Sequence, residues 1–291
     1  MYAKYTLWLL LAGLMSHATA ISADDAPVKK SVQAADGVNI YCEVTGKGET
    51  TLLFLHGWCG DHEYWKHQVK EFAPQYQIVT IDQAGHGESG KNRTDWTIDS
   101  LAGDVEAVVK QLGLKRVILI GHSMGGPVSL AAAKRMPGKV VAVIGVDTLQ
   151  NVEFQMPKEI VEHFTKQFET DFGGTLKNAI GSMLTANADA ELKQWITTRA
   201  LAQDQKMAAS LMKNLMSQDP KTLLKEAKVP VRCINSAGGF QLHTPTAVDI
   251  NKKYADYNAV TIPEVGHYPM LEKPKEFNQK LQDVLKEFAK E

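Results

Sequence analysis

The stretch from Arg116 to Pro137, RVILIGHSMGGPVSLAAAKRMP, constrains this chain more than any other part of it. Val117, Ile118, Leu119 and Ile120 are aliphatic without alternation, the pattern of a parallel strand buried on both faces. Helix-favouring Leu130, Ala131, Ala132, Ala133 and Lys134 follow, and Pro137 halts the helix. Ser123 stands at the junction, with Gly121 and Gly125 two residues to either side. A turn that sharp forces the serine into an unfavourable backbone region and brings neighbouring chain close, so its flanks must be nearly free of side chain. The stretch reads as a nucleophile presented on a strand-to-helix turn.

The rest of the chain supplies the sheet that such a turn needs. Strand-like runs are expected at Val38–Val44, Thr51–Leu55, Gln77–Ile81, Arg116–Ile120, Val140–Val146, Val231–Asn235 and Ala259–Ile262, alternating with helices. Ile98–Leu112 carries Leu101, Val105, Val108 and Leu112 at helical spacing, with Thr97 as a cap and Gly113 as a stop. Lys275–Ala289 carries Phe277, Leu281, Leu285 and Phe288 on one stripe. Between Gln150 and Lys228 the alternation gives way to a helical insertion with Met156, Met183, Met207, Met212 and Met216, adaptable side chains that suit a lid over a hydrophobic ligand and equally serve as core filler. The expected division is therefore an α/β core at 21–149 and 229–291, with a helical cap at 150–228.

With 44% hydrophobic residues among 291, the chain can bury a large core. Its formal net charge of −1 gives no footprint for nucleic acid. Lys4, an apolar run from Leu7 to Met15, and the small residues Ala18, Thr19 and Ala20 predict a signal peptide over 1–20, shorter than a membrane anchor requires, and hence a periplasmic or secreted protein without a stable anchor. Three cysteines, Cys42, Cys59 and Cys233, are too few and too odd for a disulfide framework.

A serine hydroxyl becomes nucleophilic only beside a base that is itself oriented by an acid, and the oxyanion it generates needs donors. LLFLHGW, Leu52 to Trp58, is an apolar strand running into a loop whose backbone N–H groups can face a cleft. Trp58 offers one oxyanion donor, and Met124, at the start of the helix after the nucleophile, offers the other. His56 reads as a structural brace, because the chain order Ser, acid, His wants the base C-terminal. That base is His267, in VGHYPMLEKP beyond the last strand, in a loop that should meet Ser123 at the carboxyl edge of the sheet. The spacing of His56, Cys59, His62 and His67 fits no zinc pattern, and Cys59 has neither helix nor base to activate it, so no metal and no cofactor are expected.

HGW, DQAGHGESG, GHSMGG and VGHYPMLEKP, in this order, resemble the α/β-hydrolase fold superfamily, in particular its single-chain serine esterase and lipase-like members. The resemblance covers nearly the whole chain after residue 20. It implies an eight-stranded, mostly parallel sheet with helices on both faces, a Ser-His-acid triad and a cap after the sixth strand. Asp82, in DQAGHGESG, corresponds to a structural turn. The acid departs from the common pattern: Val231 to Pro245, VRCINSAGGFQLHTP, has no carboxylate where most relatives carry one. Some relatives, dehalogenase-like ones among them, place it after the sixth strand, where this chain has Asp147. Asp147 could also be a turn or cap carboxylate, with Asp249 as the reserve acid.

A serine in the nucleophile position excludes the alkyl displacements that this fold performs with aspartate. The expectation is a hydrolase cleaving a small hydrophobic carboxylic ester, or a lactone or thioester, through an acyl-Ser123 intermediate. Carbon–carbon bond hydrolysis and perhydrolysis use the same triad, and the loop around Gly238 and Gly239 keeps open a ligand-binding module on the same fold.

Overall fold

The computed structural model describes residues 26–241 and 243–289; the 1–20 segment expected to direct export lies outside the described residues. At the centre of the sheet is β3 (Thr51–Leu55), buried along its whole length. Leu52 and Phe54 enter one core while Leu53 and Leu55 enter the other, as a strand covered on both faces requires. β3 pairs in parallel with β4 (Gln77–Ile81) and β5 (Val117–His122), so that Leu53 lies opposite both Val79 and Leu119. β6 (Val140–Val146), β7 (Val231–Ser236) and β8 (Tyr257–Ile262) extend the sheet in parallel. On the other side β2 (Asn39–Thr45) runs antiparallel to β4, and β1 (Val28–Gln33) antiparallel to β2. The order is β1-β2-β4-β3-β5-β6-β7-β8, the eight-stranded, mostly parallel sheet that the sequence implies.

Seven strands begin and end within two residues of their expected bounds. β1 was not expected: VKKSVQ buries only Val32, and an exposed edge strand has no hydrophobic pattern to betray it. The helices divide between the two faces. α2 (Ile98–Gln111) and α3 (Gly125–Arg135) cover the core that contains Leu53, and α1 (Lys66–Phe72) and α11 (Pro274–Lys286) cover the one that contains Phe54. α2 opens on a capping box: Thr97 Oγ1 accepts from the Ser100 amide at 3.0 Å and Ser100 Oγ from the Thr97 amide at 3.1 Å.

Between β6 and β7 lie α4 (Lys158–Thr170), α5 (Phe172–Met183), α6 (Ala190–Leu201), α7 (Gln205–Met216) and α8 (Pro220–Ala227). α8 packs on α3 and so belongs to the helical layer of the sheet, whereas α4 packs on α5 and α7, and α5 on α6. Short helices α9 (Val248–Asn251) and α10 (Pro269–Glu272) follow β7 and β8. Among the described residues no helix is long and apolar enough to cross a membrane. Cys42, Cys59 and Cys233 are free and buried.

Candidate active site

Four loops at the carboxyl ends of parallel strands converge, as open α/β sheets arrange their sites. The loop after β5 carries Ser123 at φ 51°, in the left-handed region that L residues avoid. The flanking glycines are sterically obligatory: a Cβ on Gly121 would overlap the Gly125 carbonyl, and one on Gly125 would lie 2.5 Å from the Leu55 carbonyl oxygen. Thr148 Oγ1 donates to the Ser123 carbonyl at 2.9 Å, fixing the turn against the loop after β6.

That loop carries Asp147, itself at φ 43° and 2% exposed. Asp147 Oδ2 accepts from Nδ1 of His267, in the loop after β8, at 2.6 Å. Its Oδ1 accepts from the Ser236 amide and hydroxyl, at 2.9 and 3.0 Å, at the end of β7. Burial alone would raise this carboxyl, but His267 and Ser236 outweigh it and hold Asp147 below the ordinary carboxylate value. Ser236 was invisible to sequence reasoning. It occupies the strand end that lacks a carboxylate, and it serves the acid one strand over in the sheet. Asp249 is exposed on α9 and borders neither of the cavities at Ser123.

His267 is held through its backbone. Its amide donates to the Met183 carbonyl at 2.7 Å, at the end of α5, and the amides on either side, Gly266 and Tyr268, donate to Glu272 at 3.1 and 3.2 Å. The Glu272 carboxyl lies above its ordinary value because it is buried. His122 Nε2 donates to the His267 carbonyl at 2.8 Å, and burial lowers this imidazole to about 3, so it is neutral at ordinary pH.

The loop after β3 crosses in front of Ser123. A Cβ on Gly57 would lie 2.7 Å from His122 Nδ1 and 3.1 Å from Ser123 Cβ, so the chain passes close to Ser123 at the residue before Trp58. Among the described residues, neither the Trp58 nor the Met124 amide donates to a backbone or side-chain acceptor. His56 lies behind the loop: its Nδ1 donates to the Gly57 carbonyl at 2.7 Å and its Nε2 accepts from the Gln83 amide at 3.0 Å, a neutral brace lowered by burial. His86 braces the same loop, its Nε2 accepting from the Cys59 amide at 3.3 Å. Asp82 accepts from the amides of His62 and Glu88, at 2.7 and 2.9 Å, and thereby shapes the turn. Burial pushes the Cys59 thiol well above its ordinary value. Among the described residues no cluster of His, Cys, Asp and Glu could hold a metal ion.

Two cavities meet at Ser123 and His267. One, of about 210 Å³, is walled by residues that include Trp58, Cys59, Tyr64, Ile180, Met212 and Met216. The other, of about 230 Å³, is more open and is walled by residues that include Met124, Asp147, Thr148, Gln150, Phe240 and Thr244. Met183 and Leu215, from α5 and α7, border both. Of the five methionines in the insertion, Met183, Met212 and Met216 reach a cavity, while Met207 is buried in the core beside Trp96. The helices above are tied to the loop after β3. Trp58 Nε1 donates to the Ala208 carbonyl at 2.8 Å, and Arg199 pairs with Asp61 at 2.5 Å.

Residues 50–222 match the model of a family described as the alpha/beta hydrolase fold. The AB hydrolase superfamily protein YisY of Bacillus subtilis is 23% identical over 256 residues, which cover 85% of this chain and 95% of that protein. The dihydrolipoyllysine-residue acetyltransferase component of the acetoin cleaving system of Cupriavidus necator is 32% identical over 120 residues, 41% of this chain and only 32% of that protein. Among solved structures, an esterase from Exiguobacterium antarcticum superposes with a TM-score of 0.80 at 22% identity, covering 89% of this chain and all of that one.

Proposed function

Because the chain belongs to the alpha/beta hydrolase fold family, we propose that it is a serine hydrolase that cleaves carboxylic esters, lactones or thioesters through an acyl-Ser123 intermediate. The observation that carries this reading is the 2.6 Å pairing of His267 Nδ1 with buried Asp147, beside cavities that Ser123 and His267 share. With Nδ1–H given to the acid, Nε2 of His267 is the free basic nitrogen. It takes the Ser123 proton as Oγ bonds to the substrate carbonyl carbon. The Trp58 and Met124 amides receive the oxyanion, where a single donor is worth about 3 to 4 kcal/mol of barrier. Collapse of the tetrahedral species breaks the bond to the leaving oxygen, which takes the proton from His267. Water then repeats the sequence on the acyl-enzyme and regenerates Ser123. Helices α4 to α7 act as the cap that shields the intermediate from bulk water. The esterase named above supports ester chemistry by analogy of fold.

The test is a fluorophosphonate probe with mass-spectrometric mapping of the adduct. The expected result is a single adduct on Ser123, lost in Ser123→Ala together with all hydrolysis of 4-nitrophenyl acetate. Absence of labelling in the unaltered protein would make the chain a binding module and overturn the reading.

A further inference from the structure

The two cavities that meet at Ser123 differ in chemistry, and the two halves of an ester make different demands on them. Acyl transfer to water proceeds in two steps. After the first, the acyl group stays on Ser123 while the alcohol must depart and a water must arrive beside His267. The half that stays gains from an enclosed apolar chamber, which holds it and keeps stray water away. The half that leaves needs the open route, which also admits the hydrolytic water.

The cavity of about 210 Å³ is the less open of the two, and beside Ser123, His122 and His267 its walls are mainly aliphatic, aromatic and sulfur-bearing, with Trp58 and Cys59 from the loop after β3, Ile180 from α5 and Met212 and Met216 from α7. The cavity of about 230 Å³ is more open, and Thr148, Gln150 and Thr244 bring hydroxyl and amide groups to its wall. Resting on the serine hydrolase reading, we infer that the less open, more apolar chamber takes the acyl group and the more open one the alcohol, and that the preferred substrates are medium-chain acyl esters of small polar alcohols. Size sets the chain length. An apolar cavity of about 150 Å³ takes up benzene, with its six carbons, so one of about 210 Å³ holds about eight. Met212 and Met216, unbranched and adaptable, follow the shape of a flexible chain better than branched side chains would. The acyl group thus fills the space between the sheet and the cap. In the chemical step Ser123 Oγ bonds to the acyl carbon, the alcohol oxygen leaves with the proton from His267, and water releases the free acid.

Ethyl octanoate and octyl acetate provide the test, because they are isomers with leaving alcohols of similar basicity and differ in which side of the ester carries the long chain. Hydrolysis by the full chain is followed in a pH-stat beside fluorophosphonate labelling. The expected result is a kcat/KM for ethyl octanoate about tenfold or more above that for octyl acetate, the discrimination that apolar pockets reach. Ala179→Phe, which brings a ring to the wall of the less open chamber, is expected to reduce that ratio by about tenfold. Equal or reversed rates for the isomers, or a ratio unmoved by Ala179→Phe, overturn the assignment. Labelling of Ser123 with neither isomer hydrolysed overturns the substrate class and leaves the serine hydrolase reading standing. No labelling at all overturns that reading and this inference together.

Discussion

The acid side chain at 147 carries the most weight for its size. Asp147 is isolated from solvent and shares its two oxygens between His267 and Ser236. Asp147→Asn would present an amide to His267 and favour the wrong tautomer, and kcat is expected to fall by about 10⁴-fold with little change in fold, as measured by ester turnover beside circular dichroism. Asp249→Asn is expected to leave turnover at the level of the unaltered protein. A second carboxylate, Glu272, holds the His267 loop through the backbone amides on either side of the imidazole. Removing Glu272 as Glu272→Ala frees the Gly266 and Tyr268 amides, and kcat is expected to drop about tenfold at nearly constant KM, with Glu272→Gln restoring part of it. A purely structural loss would lower the amount of folded protein and leave kcat per folded molecule intact. Ser123 was readable as a candidate because its glycine-flanked strand-to-helix turn is a local pattern that sterics dictate, and His267 because chain order places a base beyond the last strand. Asp147 was readable as a candidate only through the resemblance to relatives that place the acid after the sixth strand, and Ser236 and Glu272 not at all, since their contacts join segments distant in sequence or fall on backbone amides.

At the scale of elements, periodicity located the buried strands because burial on both faces writes a continuous apolar run, while β1, with one buried residue, leaves no such trace. The insertion was legible as helical, but which of its helices lies over the site and which on the sheet was not, because amphipathic α8 has an apolar stripe whatever it packs against. Two elements give clean tests. In α2, Gly103 lies mid-helix, and a Cβ there would meet nothing within 4 Å. Gly103→Ala is expected to stabilise the protein by about 0.5–1 kcal/mol in urea denaturation, since it removes only backbone freedom of the unfolded chain. Gly125→Ala, by contrast, drives a methyl against the Leu55 carbonyl and is expected to destabilise by about 2 kcal/mol or more.

At the scale of the whole molecule, the buried histidines set the response to acid. Burial lowers His86 and His122 to about 3, and lowers His56 as well. The unfolded chain binds protons at these rings near pH 6.5 whereas the folded chain refuses them until far lower pH, so stability is lost as pH falls below about 6.5. Each of His86 and His122 contributes a slope of about 1.4 kcal/mol per pH unit across that window. Asp147 and Asp82, held low in the folded state, add a loss of the same sign at more acid pH. Urea midpoints are therefore expected to be flat between pH 7 and 8 and to fall steeply from pH 6 to 4; a flat profile to pH 4 would contradict the neutral burial of these rings.

The strand order has a temporal consequence. By residue 81 a growing chain holds β1, β2, β3 and β4, a contiguous half of the sheet, and Ser123 follows on the next strand. His267 arrives only with the loop after β8, so on the proposed serine hydrolase reading a chain that stops short of that loop displays the serine without the base that would activate it.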